Sequence, residues 1–100
     1  VFEEFNVDLV VESDGHVIKR TVPIRNKKQA ATGVVYVGEG GLGVSQRKPD
    51  SGRWYLRPPG MTGRGHHVMR VRFSPKQMDY EVILLDRSIA DRATFRPRDK

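Results

Sequence analysis

The sequence predicts a β-rich α+β fold that closes on an antiparallel hairpin, and three observations carry that prediction. Residues 68–73 and 78–85 alternate apolar and polar side chains with a period of two. Two short β-branched runs, 7–11 and 34–37, read as strands. Nine of the ten glycines fall between 33 and 65, with Pro49, Pro58 and Pro59 among them, so most of that segment cannot be regular structure.

Taken in order, Val1-Phe2-Glu3-Glu4-Phe5 spaces its apolar residues like the last turns of a helix, with Asn6 as a C-terminal stop. Val7-Asp8-Leu9-Val10-Val11 is a mostly apolar strand of the sort buried in a parallel sheet, and Glu12 to His16 is the polar loop at its carboxyl end. Residues 17–24 contain Pro23 and read as an edge strand or extended loop, followed by a polar connection over 25–32. Val34-Val35-Tyr36-Val37 has the strongest β propensity and runs into Gly38-Glu39-Gly40-Gly41-Leu42-Gly43. Residues 38–65 form a long Gly/Pro-rich loop, of a length that compact domains keep for function or mobility, pinned by Trp54-Tyr55-Leu56.

Beyond it, Val68, Arg70 and Arg72 face one way along a strand, and Met69, Val71 and Phe73 the other. Ser74 to Gln77 is the turn, and the returning strand places Asp79 and Glu81 opposite the two arginines. After a turn at 86–88, Ile89 to Phe95 reads as a weaker strand, and Arg96 to Lys100 as a fraying tail.

One hundred residues leave no room for two independent cores. The chain has no cysteine, which excludes disulfides, cysteine-based zinc sites and thiol nucleophiles together. No apolar run approaches the roughly 18 residues a membrane-spanning helix needs. The net charge of +6 suggests an anionic partner, but residues 1–50 are neutral, with 7 basic and 7 acidic side chains. The excess lies in residues 51–100, where 11 basic side chains are scattered singly among 5 acidic ones. A solvated arginine-rich surface accounts for that pattern as well as a binding face does.

Among the motifs, Gly38 to Gly43 follows a strand but lacks the Lys-Ser/Thr of a nucleotide loop and the helix of a dinucleotide fingerprint. Its glycines fit a backbone passing close to other elements at the rim of a site, at Gly40 and Gly41 above all. His16 follows Asp14 by two residues, a carboxylate and imidazole at a strand end that suit zinc, iron or manganese. A histidine in a solvated loop is the alternative. His66 and His67 point to opposite sides of an extended segment, so one faces the core or a site and the other solvent. Ser13, Asp14 and His16 lie too close in sequence for triad geometry.

The order of these motifs resembles the C-terminal portion of a calcineurin-like metallophosphoesterase, of the purple acid phosphatase-like branch. The series runs from Val7-Asp8-Leu9-Val10-Val11 through His16 to Lys19-Arg20-Thr21-Val22-Pro23-Ile24. Gly33-Val34-Val35-Tyr36-Val37 with its glycine cluster comes next, then Gly65-His66-His67-Val68 and the closing hairpin. The resemblance covers nearly all of residues 1–97.

It implies a C-terminal fragment of a four-layer α/β/β/α sandwich, with the N-terminal half of the same domain absent. It also implies phosphate ester hydrolysis by a metal-activated water in the full-length enzyme, a hydrolase of the acid phosphatase type. Two divalent or trivalent metal ions (iron, zinc or manganese) would serve the complete enzyme, with at most a partial site here and an inactive fragment alone. By spacing to the Arg-Thr pair, His16 stands for the second histidine of the family's Gly-His-x-His, a ligand of one metal. Asp14 stands for the other histidine, a departure that exchanges nitrogen for oxygen. Ile18 replaces a common tyrosine. His66, His67, Gly40, Gly41 and Arg20 would line the rim of the substrate cleft, and Arg20 would serve equally in an ion pair. The Asp-x-His, Gly-Asp-x-x-Asp and Gly-Asn-His motifs of the family have no match in these residues. The compartment stays open, and the resemblance is compatible with a secreted or periplasmic place.

Two readings from other classes stand beside it. One is a small basic β domain that binds nucleic acid through Arg70, Arg72, Trp54 and Tyr55. The other is a non-catalytic interaction domain whose glycine loop wraps a partner.

Overall fold

The computed structural model describes residues 1–97. Nine strands follow one another: β1 (Leu9–Val11), β2 (Ile18–Arg20), β3 (Ile24–Arg25), β4 (Lys28–Gln29), β5 (Val35–Gly38), β6 (Met61–Gly63), β7 (His67–Phe73), β8 (Met78–Leu84) and β9 (Ile89–Phe95). They form a four-stranded sheet in the order β1-β5-β2-β6, a two-stranded β3-β4 ribbon and a three-stranded β7-β8-β9 meander.

The fold is nearly all β, which overturns the α+β fragment and the four-layer α/β/β/α architecture. Residues 2–6 make turns, and Asn6, with φ 53°, reverses the chain immediately. Five residues cannot offset the cost of nucleating a helix. Among the described residues the only helical element is one 3-10 turn at Trp54–Leu56.

The meander follows the predicted alternation. Arg70 pairs in register with Glu81 and Arg72 with Asp79. Arg70 donates two hydrogen bonds to Glu81, at 3.1 and 2.6 Å, on the outer face. On the inner face, Tyr80 and Val82 are completely buried. The closing segment 89–95 makes a full seven-residue strand paired along β8, with Ala90 and Ala93 half-buried and Thr94 exposed.

β2 is an interior strand, paired with β5 on one side and β6 on the other, rather than an edge. Pro23 falls beyond its last residue, so it removes no hydrogen bond from the ladder. The segment 38–65 holds the 3-10 turn and β6 and is otherwise irregular. Leu56 is buried, and the Val22 amide donates to Tyr55 O at 2.9 Å, so this turn does pin the loop to the body. The tail expected to fray lies, from residue 98 on, outside the described residues.

The four-stranded sheet and the meander pack face to face. Ile18, Val35 and Val37 meet Tyr80 and Val82, with Leu9, Met61, Met69, Val71, Leu84 and Phe95 around them. The pair is clamped by Arg20 on β2, whose Nε and a terminal nitrogen donate to the two oxygens of Asp91 on β9 at 2.7 and 3.0 Å.

Candidate functional site

β1 and β5 pair in parallel, Leu9 to Val35 and Val11 to Val37. Parallel strands deliver their carboxyl ends to the same edge, so the Glu12–His16 loop and the glycine loop emerge side by side. Main-chain bonds then stitch them together. Glu12 N donates to Val37 O at 2.8 Å, His16 N to Glu39 O at 3.3 Å, and Arg47 N to His16 O at 3.2 Å. Gly38 is obligatory, because a β-carbon there would lie 2.5 Å from Glu12 O.

Between these loops and the start of β7 lies a cavity of about 580 Å³. Asp14, His16 and Glu39 line it, together with Gly40, Gly41, Leu42, Val44, His67, Val68 and Met69. Two of these residues hold uncommon backbone conformations, Asp14 with φ 89° and His16 with φ 60°. Left-handed backbone outside glycine costs on the order of 1 kcal/mol per residue and collects at working sites.

The three histidines share one device. His16 Nδ1 lies 2.8 Å from Ser45 O, His66 Nδ1 2.8 Å from Gly41 O, and His67 Nδ1 2.8 Å from Gly65 O. A carbonyl oxygen only accepts, so in each ring Nδ1 carries the proton and donates. In a neutral ring Nε2 then holds the free lone pair, the tautomer that a metal-ligating histidine takes.

His67 is 3% exposed on the core face of β7, and its Nε2 is buried with no partner among the described residues. Gly41 packs flat on that ring: a β-carbon at 41 would come within 2.6 Å of it. His66, on the opposite side of the strand, tethers the same glycine through its carbonyl.

Glu39, the single charge within the Gly38–Gly43 segment expected at the rim, is a site residue that the sequence did not single out. Lys19 Nζ donates to Glu39 Oε1 at 2.6 Å and to Glu12 Oε1 at 2.7 Å, with its side chain 12% exposed. Burial alone would lower the Lys19 pKa, but the hydrogen bonds and charges of the two carboxylates outweigh it and raise it above the ordinary value. Leu42 lies in the same segment, whereas Val44, Val68 and Met69 were missed.

Of the residues expected at the site, Asp14, His16, Gly40, Gly41 and His67 share the cavity, and His66 holds its rim. Arg20 does not join them. It faces the other sheet and is spent on Asp91 and on Pro59 O, 3.1 Å away.

No family model, curated protein or solved structure matches this chain.

Proposed function

We propose that Asp14 and His16 are metal ligands, and that the chain contributes them to a site for phosphate ester hydrolysis. The observation that carries this reading is the pinned tautomer of His16, which lines one cavity together with Asp14, with no lysine or arginine among the described lining residues. Such a wall presents imidazole nitrogen and carboxylate oxygen, and of its carboxylates Glu39 is paired with Lys19. Imidazole nitrogen with carboxylate oxygen is a donor set that fits zinc, iron or manganese. Among the described residues no three of His, Asp and Glu gather closely enough to hold a metal by themselves. In this reading Asp14 and His16 make only part of a ligand set.

When bound, a pair of metal ions would neutralise charge on the phosphoryl oxygens and activate water for attack at phosphorus. The chain's own part is to hold the two donors. Ser45 O orients the His16 ring, and Glu39 O and Arg47 anchor the main chain on either side of it. The glycine at 41 lets the loop pack against the His67 ring at the cavity wall. The reading rests on the site and the order of motifs, not on the fold.

The nucleic-acid reading draws less support, because Arg70 is paired with Glu81 and Arg72 stands in register with Asp79. The test is to express the chain within its encoded flanking sequence and measure bound metal and p-nitrophenyl phosphate hydrolysis. His16→Ala and Asp14→Ala should each lower metal content and cut turnover by about two orders of magnitude, in line with metal-ion catalysis. Metal content and turnover unchanged in His16→Ala would overturn the assignment.

A further inference from the structure

We infer that the Leu42–Val44–Val68–Met69 wall is a subsite for the alcohol part of the ester, and that it selects uncharged, apolar alcohols. The inference rests on the phosphoesterase reading and names its substrate class. Three of the large apolar side chains left open to solvent are Leu42, Val44 and Val68, at 55%, 39% and 44% exposure. They come from two separate parts of the chain, the glycine loop and β7, and all three border the one cavity that holds Asp14 and His16.

Its volume of about 580 Å³ lies within the range of small-molecule sites, which are mostly apolar with a few placed polar groups. The polar side chains here are Asp14, His16, Glu39 and His67, and Lys19, which is not among the lining residues, is already paired with Glu39 and Glu12. A second phosphate on the alcohol would meet the Asp14 and Glu39 carboxylates, while Lys19 is held by Glu39 and Glu12. An aromatic or aliphatic alcohol would instead cover the exposed side chains.

The experiment has two arms. In the first, the 100-residue chain in EDTA is titrated with 1-naphthol and followed by methyl NMR. Shifts should concentrate at Leu42, Val44, Val68 and Met69, and the Leu42→Ser/Val68→Ser variant should bind about tenfold more weakly. Both residues are exposed, and the variant's untouched meander resonances report that it folds. Shifts elsewhere, or an unchanged Kd, overturn the subsite.

In the second arm, the metal-loaded protein with its flanking sequence is given 1-naphthyl phosphate and pyrophosphate. A preference for the naphthyl ester that the variant loses supports the subsite, and equal use of both by the native protein overturns it. Naphthol binding at these methyls with neither compound hydrolysed supports the apolar subsite and overturns the phosphoesterase reading instead.

Discussion

The carboxylate of Glu39 occupies the place that a β-carbon on Gly15 would take. Gly15 is therefore the seat of an anchored acid and not merely a flexible link between Asp14 and His16. Lys19 holds the other oxygen of that acid, so Glu39 cannot swing aside freely.

Gly15→Ala should accordingly displace Glu39, break its contact with Lys19 and cost about 1–3 kcal/mol, the usual range for overpacking. Urea unfolding measures the loss. Stability equal to that of the parent would show that the loop yields without strain.

Lys19 serves two carboxylates at once, so its removal should cost more than the removal of either partner. Lys19→Met should lose about 2 kcal/mol, and Glu12→Gln, whose side chain is 41% exposed, less than about 1 kcal/mol. Equal losses in parallel denaturation curves would mean that Glu39 does not depend on the lysine.

Arg20 and Asp91 lie 71 residues apart in sequence and join the two sheets. Their side chains are 20% and 9% exposed, so truncating one leaves the other charge poorly solvated. Arg20→Met should destabilise by about 3 kcal/mol, and Arg20→Met/Asp91→Leu by less than the sum of the single changes. A double-mutant cycle decides it, and strict additivity would dissolve the clamp.

Alkali should weaken the fold through Tyr80 and Lys19. Burial, and then the Asp91 charge, raise the Tyr80 pKa against the opposing effect of Arg20. A pKa raised on folding gives stability that is complete below the unfolded value, near 10, and is lost as pH climbs towards the folded one. Tyr80→Phe should flatten this limb. It should also cost nothing at neutral pH or gain about 1 kcal/mol, since the Tyr80 hydroxyl is buried without a partner among the described residues. Thermal midpoints from pH 7 to 11 test both points, and a Tyr80→Phe curve parallel to that of the parent would refute the first. On the acid side the signs reverse. Glu81, lowered chiefly by its hydrogen bonds from Arg70, contributes stability that fades as pH falls through its folded pKa.

The meander was legible in the sequence because its signal is local. Period-two alternation, a four-residue turn and facing charges all lie within residues 67–85. The four-stranded sheet was less so, since its strands are short and find their neighbours far along the chain. β2 becomes interior only because β5 and β6 close on both of its sides. The helical reading of residues 1–5 followed apolar spacing that is too short to mean much without a partner helix. At the site, Asp14, His16 and the histidine pair announced themselves by chemistry. Glu39 looked like a loop charge and Val68 like one step of an alternating strand. The parallel pairing of β1 with β5 sets Glu39 beside the 12–16 loop, and the packing of the meander on that sheet brings Val68 to the same space.

That space has walls at residues 14–16, 39–44 and 67–69, drawn from both packed sheets and the loops between them. No contiguous stretch of the chain builds it, so it exists only once the two sheets have docked. Anything that binds there binds the native state alone, and at a hundred times its Kd adds about 2.7 kcal/mol to the stability of the whole domain. Occupancy and folding are thus one linked equilibrium, and a shift in melting temperature is a direct assay for whatever the cavity takes.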